Sequence, residues 1–160
     1  MAFELAKEHL TRLGLDHKIH VLSESSATVE LAAQALGCEG KLIAKSLSFK
    51  VGEKAILIVM AGDAKLDNSK YKARFGTKAT MLTPDEAVQM IGHAVGGVCP
   101  FGIQPDVKVY LDASLRRFDV VYPACGSSNS AVELTLDELE RACGESEWVD
   151  VGKNWQEHAE

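Results

Sequence analysis

Between Gly92 and Gly102 the chain reads Gly92-His93-Ala94-Val95-Gly96-Gly97-Val98-Cys99-Pro100-Phe101-Gly102, four glycines and one proline in eleven residues. Neither a helix nor a regular central strand propagates through such a segment. It lies between a helix-like and a strand-like stretch, and it is apolar where a surface linker would be polar. Glycine allows close backbone approach and positive φ, while proline fixes the turn. The segment reads as one wall of a small-molecule site made largely of main-chain groups, or as a stiff structural crossover.

The elements on either side follow from periodicity. Phe3, Ala6, Leu10 and Leu13 repeat at helical spacing, and Gly14 closes that helix. Ile19 and Val21 predict a short strand. Ser26 or Thr28 caps a second helix to Leu36, stopped by Gly37. Leu42 to Lys50 and Ala55 to Met60 form a strand pair around the turn Val51-Gly52-Glu53-Lys54. A helix from Asp67 to Phe75 ends at Gly76, and Thr83-Pro84-Asp85-Glu86 opens another that runs to about Ile91. Strands are expected at Val107–Leu111, Asp119–Tyr122 and Ala131–Leu134, the first two joined by a polar turn holding Arg116 and Arg117. Thr135 and Glu138 form a second capping box for a helix to Cys143. The polar end, Gly152 to Glu160, is expected to be loose. Hairpins mixed with helices, without βαβ alternation, predict an α/β fold: a mixed, barrel-like β-sheet with peripheral helices. With no internal repeat and no dividing linker, residues 1–160 read as a single domain.

Charge and cysteine content exclude several function classes. A net charge of −6 argues against a general nucleic-acid binder. The local exception runs from Lys65 to Lys78, where Lys65, Lys70, Lys72, Arg74 and Lys78 face only Asp67. That patch is either solvated helix surface or a contact for a few phosphates, and RNA binding through it would be weak and salt-dependent. The four cysteines form no CxxC pair, so zinc ribbons and redox motifs are unsupported. Ala55 to Ala61 is too short to cross a bilayer, and the N-terminus lacks a signal-peptide pattern, which points to the cytoplasm and to no membrane partner.

Lys45 is the second anchor. Strand alternation puts it on the face of Ile43, Leu47 and Phe49, opposite Leu42, Ala44, Ser46 and Ser48. A lysine among large apolar neighbours needs a partner, a ligand or water for its ammonium, or it snorkels from an edge strand. Three flexible segments are expected to converge on it: Ala61-Gly62-Asp63, Gly92 to Gly102, and Gly126-Ser127-Ser128-Asn129. Amides of such loops are natural donors to a phosphate or an oxyanion.

Ile43-Ala44-Lys45-Ser46-Leu47, then Gly92-His93-x-x-Gly96-Gly97-Val98-x-Pro100-Phe101-Gly102, then Gly126-Ser127-x-Asn129 before Val132-Glu133-Leu134, resembles the YbaK/prolyl-tRNA-synthetase-associated domain family. The resemblance extends from about Thr28 to Leu139. It implies an aminoacyl-tRNA deacylase that removes a wrong small amino acid, typically from tRNA for proline, without organic cofactor or metal. By position, Lys45 matches the family's essential lysine. Gly96, Gly97, Val98, Pro100, Phe101 and Gly102 match the loop that holds the aminoacyl group and terminal adenosine, and Gly126 to Asn129 match the facing loop. Gly97 is expected to offer a main-chain N–H to the substrate carbonyl, and Gly62, Asp63 and His93 to join the binding residues. Leu22 stands where some cysteine-specific members have tyrosine, which argues against a cysteine-only specificity and leaves alanine, 2-aminobutyrate or serine. The implied partner is the acceptor end of mischarged aminoacyl-tRNA, with prolyl-tRNA synthetase or an elongation factor as delivery partners.

Other readings compete. A related pocket can hold a nucleotide or an aminoacyl-adenylate-like ligand without catalysis, as a module regulating a partner. His93 has the intrinsic pKa of a general base, or it satisfies carbonyls at a helix end. Cys99 inside the loop suggests a thiol nucleophile, but no Cys/His/Asn order supports one. Asp63 and Asp112 belong to no metal-ligand cluster and read as turn or cap residues.

Overall fold

In the computed structural model, which describes residues 2–155, the elements in chain order are α1 (Ala2–Arg12), β1 (Ile19–Val21), α2 (Val29–Leu36), β2 (Ile43–Val51), β3 (Lys54–Ala61), β4 (Lys65–Leu66), α3 (Asn68–Phe75), α4 (Pro84–Glu86), β5 (Lys108–Asp112), β6 (Val120–Pro123), β7 (Ser130–Val132), β8 (Leu134–Thr135), α5 (Leu136–Cys143), β9 (Ser146–Val149) and β10 (Gly152–Lys153). Six strands form one curled, mixed sheet in the order β8-β6-β2-β3-β5-β9. β2 and β3 pair as the expected antiparallel hairpin, and β6, β5 and β9 join in parallel.

β3 is the spine of the sheet because all its residues from Ala55 to Ala61 are buried, as a strand covered on both faces requires. Leu57, Val59 and Ala61 face a core closed by Ala6 and Leu10 of α1 and Leu139 and Ala142 of α5. Ile56, Ile58 and Met60 face a second cluster with Tyr71 of α3, Val149 and Val151. The paired positions Lys45↔Met60, Leu47↔Ile58 and Phe49↔Ile56 put Lys45 at the end of that second face, as its alternation predicts.

Both expected capping boxes form, at Thr83/Glu86 and Thr135/Glu138. Thr28 caps α2, while Ser26 bonds the carbonyl of Ser128 instead. Three expectations need correction. The helix after Thr83 is regular only to Glu86 and widens into a π turn over Ala87–Ile91. The strand expected at Ala131–Leu134 is two strands, because pairing passes from β1, where the amide of Glu133 still reaches the carbonyl of Lys18, to β6 at Leu134. The start of the supposedly loose end is ordered: β10 pairs with β4, and Trp155 packs on the second cluster. Residues 156–160 of that prediction lie outside the described residues. Among the described residues, no helix is long and apolar enough to cross a membrane.

Candidate active site

The site begins with an interruption in the sheet. β6 runs beside β2 only at Ile43 and Ala44. Farther along the same edge, residues 80–82 take over: Lys50 N donates to Thr80 O and Leu82 N to Ser48 O. Along Lys45–Leu47, no described strand flanks that edge. Ser48 and Lys50 direct main-chain groups to this edge, so alternation directs the amide and carbonyl of Ser46 there too. A cavity of about 330 Å³ fills the gap. Ala44 to Ser48 form one wall, Ser26 to Val29 with Ala32 a second, and Val95, Gly96 and Val98 a third, closed by Met81, Leu82, Ala124, Ser130 and Ala131.

Lys45 lines this cavity half-buried, and its Nζ donates to the carbonyls of Gly62, at 3.4 Å, and Ala64. An ammonium has three donors, so these two bonds leave one for a ligand. Burial pushes Lys45 below the usual lysine range, Asp63 and Glu30 pull it back up, and Lys65 adds to the lowering. The Oγ of Ser46 is buried on the strand's other face without a hydrogen-bond partner among the described residues. Sequence reasoning placed Ser46 on that face, with Ser48, and gave it no role.

The glycine-rich loop divides in two. Gly96 and Val98 line the cavity beside Val95, which is 67% exposed. Gly97 does not line it, and its amide is not on offer: it donates to Ala94 O at 3.0 Å. Its role is close contact, since a Cβ there would lie 2.6 Å from the amide nitrogen of Ser127. Pro100, Phe101 and Gly102 also leave the cavity: Phe101 is core, and Gly102 presses on the backbone of α1 at Leu5. His93 is fully buried, with Nε2–H donating to Phe101 O at 2.7 Å and Nδ1 without a hydrogen-bond partner among the described residues. Burial lowers its pKa more strongly than that bond raises it, so the ring is held neutral, and off the cavity it ties the loop to itself. Cys99, 3.5 Å from that nitrogen, is buried, and burial pushes its thiol far up, which removes it as a nucleophile.

The facing loop works from behind. Gly126, Ser127, Ser128 and Asn129 are not cavity residues. Gly126 N donates to Gly97 O at 3.1 Å, and Ser128 O receives Ser26 N at 2.6 Å, so the loop braces two walls at once. Asn129 bonds both main-chain groups of Leu22. Gly62 reaches the site only through its carbonyl, and Asp63 is held by Arg117. The carboxylate of Asp112 caps the amides of Ser114 and Val151, which is the cap reading. In the basic segment, Lys70 pairs with Asp150 and Arg74 with Glu147, while Lys65, Lys72 and Lys78 are exposed.

Residues 23–142 match the family model for the aminoacyl-tRNA editing domain. The chain belongs to that family. It is 49% identical over 157 residues to the uncharacterized protein YwhH of Bacillus subtilis, covering 98% of this chain and all of that one. It is also 30% identical over 125 residues to a proline–tRNA ligase of Thermosipho melanesiensis, where it covers 78% of itself but only 22% of the ligase. A solved structure proposed to be a trans-editing enzyme for prolyl tRNA synthetase superposes with a TM-score of 0.86 at 30% identity, covering 96% of this chain and 98% of that one.

Proposed function

We propose that this protein is a trans-editing deacylase, hydrolysing the ester of tRNA for proline mischarged with alanine, cysteine, 2-aminobutyrate or serine. The observation that carries this reading is Lys45 as the one charged side chain among the described residues that line the cavity, its ammonium held by two carbonyls with a donor to spare. Family membership and the likeness to a proposed trans-editing enzyme support the reaction class.

An aminoacyl ester is already activated, so little side-chain chemistry is needed. Water adds to the carbonyl carbon, the bond to the ribose oxygen breaks, and the water proton ends on that oxygen. Lys45 holds a phosphate or the ribose region, or neutralises the developing oxyanion, and fixed main-chain donors orient the ester. With the Gly97 amide engaged, the Ser46 amide at the open edge takes that part. Val95, Gly96 and Val98 limit the amino-acid side chain by volume. The net charge of −6 makes tRNA binding weak, so prolyl-tRNA synthetase or an elongation factor delivers the substrate.

The test is release of labelled amino acid from alanyl-, cysteinyl-, 2-aminobutyryl-, seryl- and prolyl-tRNA for proline, with wild type and Lys45→Ala in parallel. Turnover of a mischarged species that spares prolyl-tRNA, and falls by about a hundredfold or more in the variant, is expected. Full activity in Lys45→Ala removes the lysine from the mechanism, and five inert substrates remove the assignment to tRNA for proline.

A further inference from the structure

Arg117 lies outside the cavity yet is among the most firmly held side chains of the protein. Its Nη1 and Nη2 grip Oδ2 and Oδ1 of Asp63 at 2.9 and 2.5 Å, with 11% of the arginine and 17% of the aspartate side chain exposed. Its Nε donates to Ser114 O at 2.9 Å, and its guanidinium lies 4.5 Å from the Phe118 ring and 5.0 Å from that of Trp155. Asp63 is flanked in sequence by Gly62 and Ala64, whose carbonyls hold the Lys45 ammonium. An acidic side chain thus stands on the very turn that positions the lysine, and a two-point ion pair fixes it elsewhere.

We propose that Arg117 is a positioning residue for Lys45: by gripping Asp63 it keeps that carboxylate from capturing the ammonium, so that the lysine stays on the Gly62 and Ala64 carbonyls with a donor free for the cavity. The charges that face Lys45 are Asp63, Glu30 and Lys65, and Asp63 is the acidic group with the larger influence. A carboxylate released from Arg117 would be drawn by charge toward the partly buried ammonium whose two carbonyl partners flank it in sequence. Lys45 would then be occupied by the protein itself. As a role in turnover, this rests on the editing reading of Lys45.

The experiment follows the Lys45 side-chain 13Cε resonance through a pH titration, with deacylation assays alongside, in wild type, Arg117→Met, Arg117→Lys, Asp63→Asn and the double variant Asp63→Asn/Arg117→Met. In Arg117→Met the Lys45 midpoint should rise by about one pH unit or more. Turnover should fall on the order of tenfold or more as the lysine is drawn off its carbonyls. In the double variant, which has no carboxylate to release, the midpoint should drop below wild type and turnover recover to within about threefold. Arg117→Lys, which keeps the charge, should stay near wild type in midpoint. An unchanged Lys45 midpoint in Arg117→Met overturns the proposal, as does a double variant no more active than the single one. Should Arg117→Met fail to fold, Asp63→Asn and the double variant decide: equal midpoints support a role exercised through Asp63, and divergent ones overturn it. Wild type inert on every ester would sink the editing reading, while the midpoints still decide whether Arg117 governs Lys45.

Discussion

Val95 and Phe101 belong to one loop and meet opposite surroundings: Val95 is exposed at the cavity mouth, and Phe101 is sealed in the core. Both halves of that loop use glycine for close backbone approach, Gly97 against Ser127 and Gly102 against Leu5. Only the first has cavity-lining neighbours in the loop, Gly96 and Val98. Glycine density therefore marks where a loop must pack, and the bulk of the intervening side chains decides which half stays open.

Four substitutions break or sharpen this contrast. Gly102→Ala should have the largest effect, since its φ is +65° and the new Cβ would lie 2.5 Å from the Leu5 carbonyl. A loss of about 3 kcal/mol or more is expected in chemical denaturation, and a loss under about 1 would disprove the tight seat on α1. Gly97→Ala should cost about 1–3 kcal/mol by forcing the backbone of Gly126 and Ser127 away. Unlike Gly102→Ala, it should also depress deacylation in protein that remains folded, because both braced walls shift. Equal specific activities in the two folded variants would erase the distinction between the halves.

His93 gives a smaller, pH-dependent effect. Its folded pKa lies below the ordinary 6.5, so the unfolded chain takes up its proton first. The stabilisation is complete above the unfolded value of about 6.5 and is lost as pH falls through the folded one. Thermal melts between about pH 7 and 5 should show stability declining, with a flatter slope in His93→Gln, whose amide can still donate to Phe101 O. Identical slopes would show that the ring is not held neutral. Val95→Ala should change stability by less than about 0.5 kcal/mol while widening the range of amino acids released. An unaltered substrate profile would take Val95 off the selecting wall.

Much of the fold was legible because local rules and tertiary demands agreed. Thr83/Glu86, Thr135/Glu138, Asp67 and Gly37 are cap and stop residues whose chemistry is local. β9 and β10 were not legible, since Ser146–Val149 gains its strand character from lying beside β5, and Gly152–Lys153 from β4. At the site, Lys45, Gly96 and Val98 line the cavity. Gly97, Pro100, Phe101, Gly102 and His93 lie off the cavity for one cause: conformational freedom and ring chemistry say nothing about which side of a loop meets the core. Arg117 was visible only as part of a polar turn, because its partner Asp63 is distant in sequence.

The gap beside Ser46 has one more consequence. A ladder with a missing rung accepts any occupant carrying a donor and an acceptor at peptide spacing, whatever its side chain. Such a site reads the common part of its ligand through hydrogen bonds and the variable part through volume alone. Discrimination between two amino acids of nearly equal size would then have to come from something outside this pocket.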